Sequence, residues 1–144
     1  MAVQYDVDVD TQEINRLFQQ YALAQFGKLS QNIDEASPVL VSKAMDYMHG
    51  HSDKFVVIVM DGMSEFDWKI ISSSFKSLLY EKSSMFAMIP STTSISRQCL
   101  LSGKYPRQLL EPWKQSKEKT EFINCAKELG YSDIQIGYER GYDA

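Results

Sequence analysis

Cysteine, histidine and net positive charge are scarce in this chain, and each scarcity excludes something. Cys99 and Cys125 are too few and too far apart for a disulfide framework or a thiolate zinc site, so a reducing, cytoplasmic setting is expected. The 15 lysines and arginines are outnumbered by 19 aspartates and glutamates, leaving a formal charge of −4. That balance argues against a general nucleic-acid coat or an anionic-membrane binder, both of which need a basic excess. The longest apolar run, Phe55 to Met60, is far short of the roughly 20 residues that span a bilayer. The opening MAVQYDVDVD, with three aspartates and no basic-apolar run, does not resemble a signal peptide. No Gly-x-Gly-x-x-Gly follows the first apolar run, which weakens a dinucleotide-binding reading.

What remains is a chain of 144 residues, the size of one globular domain. Its pattern changes character near residue 53. Before that point it reads as helix. Thr11 can cap a helix whose stripe is Ile14, Leu17, Phe18, Tyr21 and Phe26. Ser37 and Pro38 open a second helix, Leu40, Val41, Ala44, Met45 and Met48 form its buried face, and Gly50 ends it. Beyond Asp53 the pattern alternates: a strand at 55–60, a helix from Glu65 to Tyr80, a strand at 85–89, a short helix from Ile95 to Leu101 ended by Gly103, a helix from Ser116 to Leu129 with Gly130 after it, and a strand at 132–137. Strand, helix, strand, helix, strand predicts an α/β fold with a partial parallel sheet, preceded by two helices. The division expected is a helical segment over 1–52 and an α/β domain over 53–144.

In such a sheet ligands gather beyond the carboxyl ends of the strands. Asp61-Gly62 follows the first strand and Pro90-Ser91-Thr92-Thr93-Ser94 the second, so one crossover would bring the Asp61 carboxylate to the 91–94 hydroxyls. A cation held by the carboxylate lowers a hydroxyl's pKa, and the following helix offers N–H groups to an oxyanion, with Arg97 adding a charge-assisted bond. Blander roles compete. Asp61-Gly62 is also a strand-ending turn, Thr93 a helix cap, and Arg97 a solvated charge; Ser91, Thr92 and Ser94 are chemically similar to Thr93. His49 and His51 are expected to be exposed, and Asp6, Asp8 and Asp10 to form a solvated tail. Cys99 reads as a packed thiol, and Met45, Met48, Met60, Met63, Met85 and Met88 as core filler.

VVIVMDGMS, followed about thirty residues on by AMIPSTTSISRQCLLSGKYP, resembles the alkaline phosphatase superfamily and, within it, the PglZ domain of bacterial phage-defence (BREX-type) systems and some signalling proteins. The second block has the form Pro-small-x-Thr, a short helix, then Ser/Thr-Gly-x-x-Pro, here Pro90, Ser91, Thr93, Ser102, Gly103 and Pro106. The resemblance implies that Asp61 is a metal ligand. It implies that Thr93 is the nucleophile, touching metal and passing through a phosphothreonine. Ser96 stands where phosphodiesterase-like relatives carry an oxyanion-binding asparagine. It also implies two divalent cations, usually zinc, held by further aspartates and histidines in the second half of the fold. His49 and His51 precede the first strand and do not supply them. The chain is therefore expected to be the N-terminal part of a longer phosphoesterase, inactive alone, with a phosphate monoester, a diester such as nucleic acid, a cyclic nucleotide or a sulfate as substrate. A non-catalytic assembly module docking defence or signalling proteins is the alternative. The open edge of a three-stranded sheet predicts self-association.

Overall fold

Helices account for the regular structure among the described residues of the chain. The computed structural model describes residues 11–29, 39–89 and 91–141. Its contacts divide into two units, 1–33 and 34–144. In the first, α1 runs Thr11–Leu29, with Glu13 and Arg16 paired across one turn. None of its residues is buried: Ile14, Leu17, Phe18 and Tyr21 keep the spacing of a stripe but are exposed. Asp6, Asp8, Asp10, Ser37, Pro38 and Pro90 lie outside the described residues.

In the second unit, a 3₁₀ turn at Val41–Lys43 leads into α2, Ala44–His51. Gly50 lies inside this helix rather than ending it, and Ser52 closes it with its N–H on the Met48 carbonyl. Helix α3 covers Glu65–Ser72, opened by a reciprocal bond pair between Ser64 and Asp67. It stops eight residues before the expected Tyr80. The Ser72 and Ser73 hydroxyls donate to the carbonyls of Lys69 and Ile70, and such local bonds compete with helix propagation. Helix α4 is Thr93–Ser102 and α5 is Glu118–Glu128, the latter preceded by a 3₁₀ turn at Gln115–Lys117. Gly103 ends α4 with φ 69°, a left-handed conformation that suits glycine, and a Cβ there would stand 3.6 Å from the Ser42 carbonyl. Gly130 at φ 97° and Tyr131 return their N–H groups to Lys127 and Ala126, a Schellman ending for α5.

The parallel sheet expected from the three apolar runs is not formed: among the described residues there is no strand. Residues 55–60 take no regular structure and have no ladder partner among the described residues; Val56 and Ile58 are 85% and 78% exposed, while Phe55, Val57 and Val59 are partly covered. The second run does find a partner, though not the first run. Phe86 exchanges backbone bonds with Val39 and Val41, an isolated parallel bridge centred on Leu40. The third, 132–137, closes instead into a 3₁₀ turn, Asp133–Gln135, where Gln135 Oε1 accepts from both the backbone and the hydroxyl of Ser132. β-Branched composition suits a pleated strand, but each strand exists only through a neighbour's N–H and C=O groups. Here the Phe86 groups pair with Val39 and Val41 rather than with the first run.

The core therefore lies among helices. Ala44 and Met45 of α2, Ile95, Cys99 and Leu101 of α4, and Cys125 and Ala126 of α5 close around Leu40, Met88 and Leu109, all buried. Each of the larger side chains contributes about 1.5–3 kcal/mol by burial. Met45 and Met88 are core filler as expected, but Met60 and Met85 are exposed. Among the described residues no helix is long and apolar enough to cross a membrane.

Candidate functional site

Helix α4 starts at Thr93, two residues earlier than its apolar pattern predicts, with Thr92 extended as the N-cap residue. No side chain caps this end; the Thr92 carbonyl accepts from Ile95 and Ser96. Thr93 is thus the first helical residue, exposed, and its hydroxyl has no hydrogen-bond partner among the described residues. A helix start without a side-chain cap leaves backbone N–H groups for water or an anion. The capping role weighed for Thr93 falls to its neighbour's position.

Arg97 lies four residues on, and so on the same face of α4 as Thr93. Its Nη1 is 3.6 Å from Asp61 Oδ2, an ionic contact that joins the two sequence blocks. Asp61 sits in the turn made with Gly62, whose φ is 75°. The rest of the guanidinium is committed. Nε donates to Glu118 Oε2 at 2.6 Å and Nη2 to Oε1 at 2.7 Å, a two-pronged pair with a carboxylate only 1% exposed. Tyr138 donates its hydroxyl to the same Oε1 at 2.5 Å. The Glu118 bond holds the guanidinium's pKa above its ordinary value, while burial and then the Glu118 carboxylate push the Tyr138 phenol up.

Ser96, at the expected oxyanion position, has its hydroxyl shielded from solvent and without a partner among the described residues. Such an orphan costs about 1–3 kcal/mol unless a bound group satisfies it. Gln98 is fully buried and ties α4 to the loop beyond it, with Nε2 donating to the Ser94 carbonyl at 3.0 Å and the Pro112 carbonyl at 3.1 Å. Lys104 donates to the buried Glu121 at 2.7 Å.

The donors for a metal are few. Asp61 and Thr93 are oxygen donors of the right type, but among the described residues no group of three or more His, Cys, Asp or Glu side chains comes together. A two-ion centre needs more ligands than these two supply. His49 and His51 do not help: two residues apart on α2, they leave the helix on different faces, His49 Nδ1 against the Tyr131 hydroxyl and His51 Nδ1 donating to the Tyr47 carbonyl. A hollow of about 360 Å³ beside Tyr47, His51, Phe55 and Glu81 includes none of the candidate residues.

Sequence reasoning missed Glu118, Gln98 and Tyr138. A signal existed for the first. Glu118, Glu121 and Cys125 recur at three and four residues along one face of α5, the spacing of a buried stripe, although two of the three are charged.

No curated protein and no solved structure shows a significant match to the chain. The sequence profile of the BREX system PglZ alkaline phosphatase-like domain, however, matches residues 39–117. That segment contains Asp61, Thr93, Ser96 and Arg97 and more than half of the chain. With the two blocks joined through Asp61 and Arg97, and the family profile spanning both, this chain belongs to the PglZ alkaline phosphatase-like family, a phosphoesterase-like family.

Proposed function

We propose that the face formed by Asp61, Thr93, Ser96 and Arg97 handles the phosphate group of an ester in a PglZ-type phosphoesterase. The observation that carries this reading is the contact between Arg97 and Asp61, which brings a cation one turn into α4 against the carboxylate of the first block. A phosphate there would take charge-assisted bonds from Arg97 Nη1 and backbone N–H bonds from the first turn. Thr93 would present its hydroxyl to phosphorus. The orphaned Ser96 hydroxyl supports a polar occupant.

Divalent cations, with zinc the expected metal, are proposed for Asp61 and Thr93 only together with ligands beyond the described residues. With two donors in hand, the proposal for this chain is phosphate binding without turnover. The class of ester, and a setting in phage defence or signalling, belong to the same proposal. A non-catalytic assembly module is favoured by one observation, the exposed apolar side chains of 55–60.

The test is an assay of this chain with bis-p-nitrophenyl phosphate, with and without zinc, beside calorimetric titration with inorganic phosphate. No turnover, with phosphate binding lost in Arg97→Gln, is the expected result. Failure of phosphate to bind at tens of millimolar would remove the phosphate-handling reading and leave the assembly module.

A further inference from the structure

Arg97 has two carboxylate neighbours, and they are not equivalent. Asp61 is exposed and stands at 3.6 Å, beyond hydrogen-bond distance; Glu118 is buried and takes two of the guanidinium's N–H edges at 2.6 and 2.7 Å. A planar fork held on one side can turn only as a unit, so Nη1 is left as the edge that faces Asp61. The Tyr138 hydroxyl adds a third bond to Glu118 Oε1, the oxygen that also accepts from Nη2. The Tyr138 ring is itself held, 5.8 Å from that of Phe122 and with the Lys119 ammonium 5.9 Å above it. Glu118 and Tyr138 both lie outside the family-matched 39–117.

We propose that Glu118, steadied by Tyr138, is the positioning residue for Arg97: it holds the guanidinium back from Asp61 so that the Nη1 edge stays available to a phosphate oxygen. This rests on the phosphate-handling reading of the site. Without the Glu118 fork, Arg97 is free to pair directly with Asp61, and each charge then quenches the other. Glu118→Gln brings this about with little change of volume. An amide offers one acceptor and one N–H₂ group, and that N–H₂ opposes one of the guanidinium's own donors.

The experiment is titration of the full chain with inorganic phosphate, followed by the ¹H–¹⁵Nε resonance of Arg97 and by backbone amide shifts. Glu118→Gln is expected to weaken phosphate binding at least tenfold and to move the Arg97 Nε resonance, with the amide spectrum still dispersed. Asp61→Asn placed in the Glu118→Gln background is expected to restore most of the lost affinity, because the competing carboxylate is gone. A role in folding alone would give no such rescue. Tyr138→Phe keeps the fork and is expected to weaken binding two- to threefold, which tests the idea even if Glu118→Gln does not fold. Phosphate affinity unchanged in Glu118→Gln and Tyr138→Phe, while Arg97→Gln has lost it, overturns the positioning role and leaves the site reading standing. No phosphate binding by the unaltered chain overturns the site reading, and the positioning role with it.

Discussion

The Tyr131 hydroxyl settles the tautomer of His49. Its single proton is donated to the Asp53 carbonyl at 2.9 Å, which can only accept. The 3.0 Å contact with His49 Nδ1 must then be donated by the imidazole, so neutral His49 carries its proton on Nδ1. Gly130 makes this possible, since the Schellman turn is what delivers Tyr131 to α2 and to the edge of the Phe55 ring. Tyr131→Phe is expected to cost about 1–2 kcal/mol, the scale of one or two lost hydrogen bonds. It should also release His49 to the Nε2–H form. Nitrogen-15 shifts of the imidazole read the tautomer, and an Nε2–H ring in the unaltered protein would contradict the geometry.

Glu121 is fully buried and accepts from Lys104 Nζ at 2.7 Å and from the Leu110 N–H at 3.3 Å. Lys104→Met leaves that carboxylate in the interior without its cation, and the expected loss is about 3–5 kcal/mol. Adding Glu121→Gln should recover part of it, because a neutral amide has less to lose from burial. Urea unfolding of the unaltered protein, the two single variants and the double variant gives the coupling. Additive single-site effects would mean that the pair is not coupled in solution.

Burial raises both thiols, Cys99 and Cys125, from 9.0 to about 11. The native state keeps protons that the unfolded chain releases. Stability from the two neutral thiols is therefore complete below pH 9 and is lost as the pH rises from about 9 to about 11, by at most ~2–3 kcal/mol for each. Native protein at pH 8 should react with a thiol reagent only as fast as it opens. Rapid stoichiometric labelling without denaturant would show that the sites are open.

Residues 55–60 form an uncharged stretch rich in β-branched residues, with no ladder partner among the described residues. Such a stretch pairs readily with another like it. Light scattering is expected to show mass rising with concentration, and Ile58→Lys to suppress the rise. A constant monomer mass in both proteins would refute this.

That helices form was legible in the sequence because their signals are local, although Gly50 does not end α2 and α3 stops short of Tyr80. Gly103 closes α4, Gly130 follows α5, and Asp61-Gly62 turns, each through a backbone preference contained in the residue itself. The strands were misread for the opposite reason. Phe55 to Met60 has the composition of a strand, but pairing depends on distant partners, and Phe86 bonds to Val39 and Val41 instead. At the site, the family resemblance singles out Asp61, Thr93 and Ser96, and the position of Arg97 in the first turn after them singles out that arginine; the fold places Arg97 beside Asp61 and on the face of Thr93. Glu118 stayed hidden because a glutamate in the first turn of a helix ordinarily faces water. Only the tertiary position of Arg97 shows why this one does not.

The fork between Arg97 and Glu118 also bears on where the family's domain can be divided. The cation lies inside the matched segment and its counter-charge one residue beyond it. A cut after Lys117 would remove the partner of an arginine whose side chain is only 14% exposed, along with Tyr138 behind it. As a physical unit the segment reaches past the border its sequence signature draws, so grafting or exchanging 39–117 alone would carry Arg97 into the new host without the fork that holds it off Asp61. The transferable piece includes α5 and the chain through Tyr138.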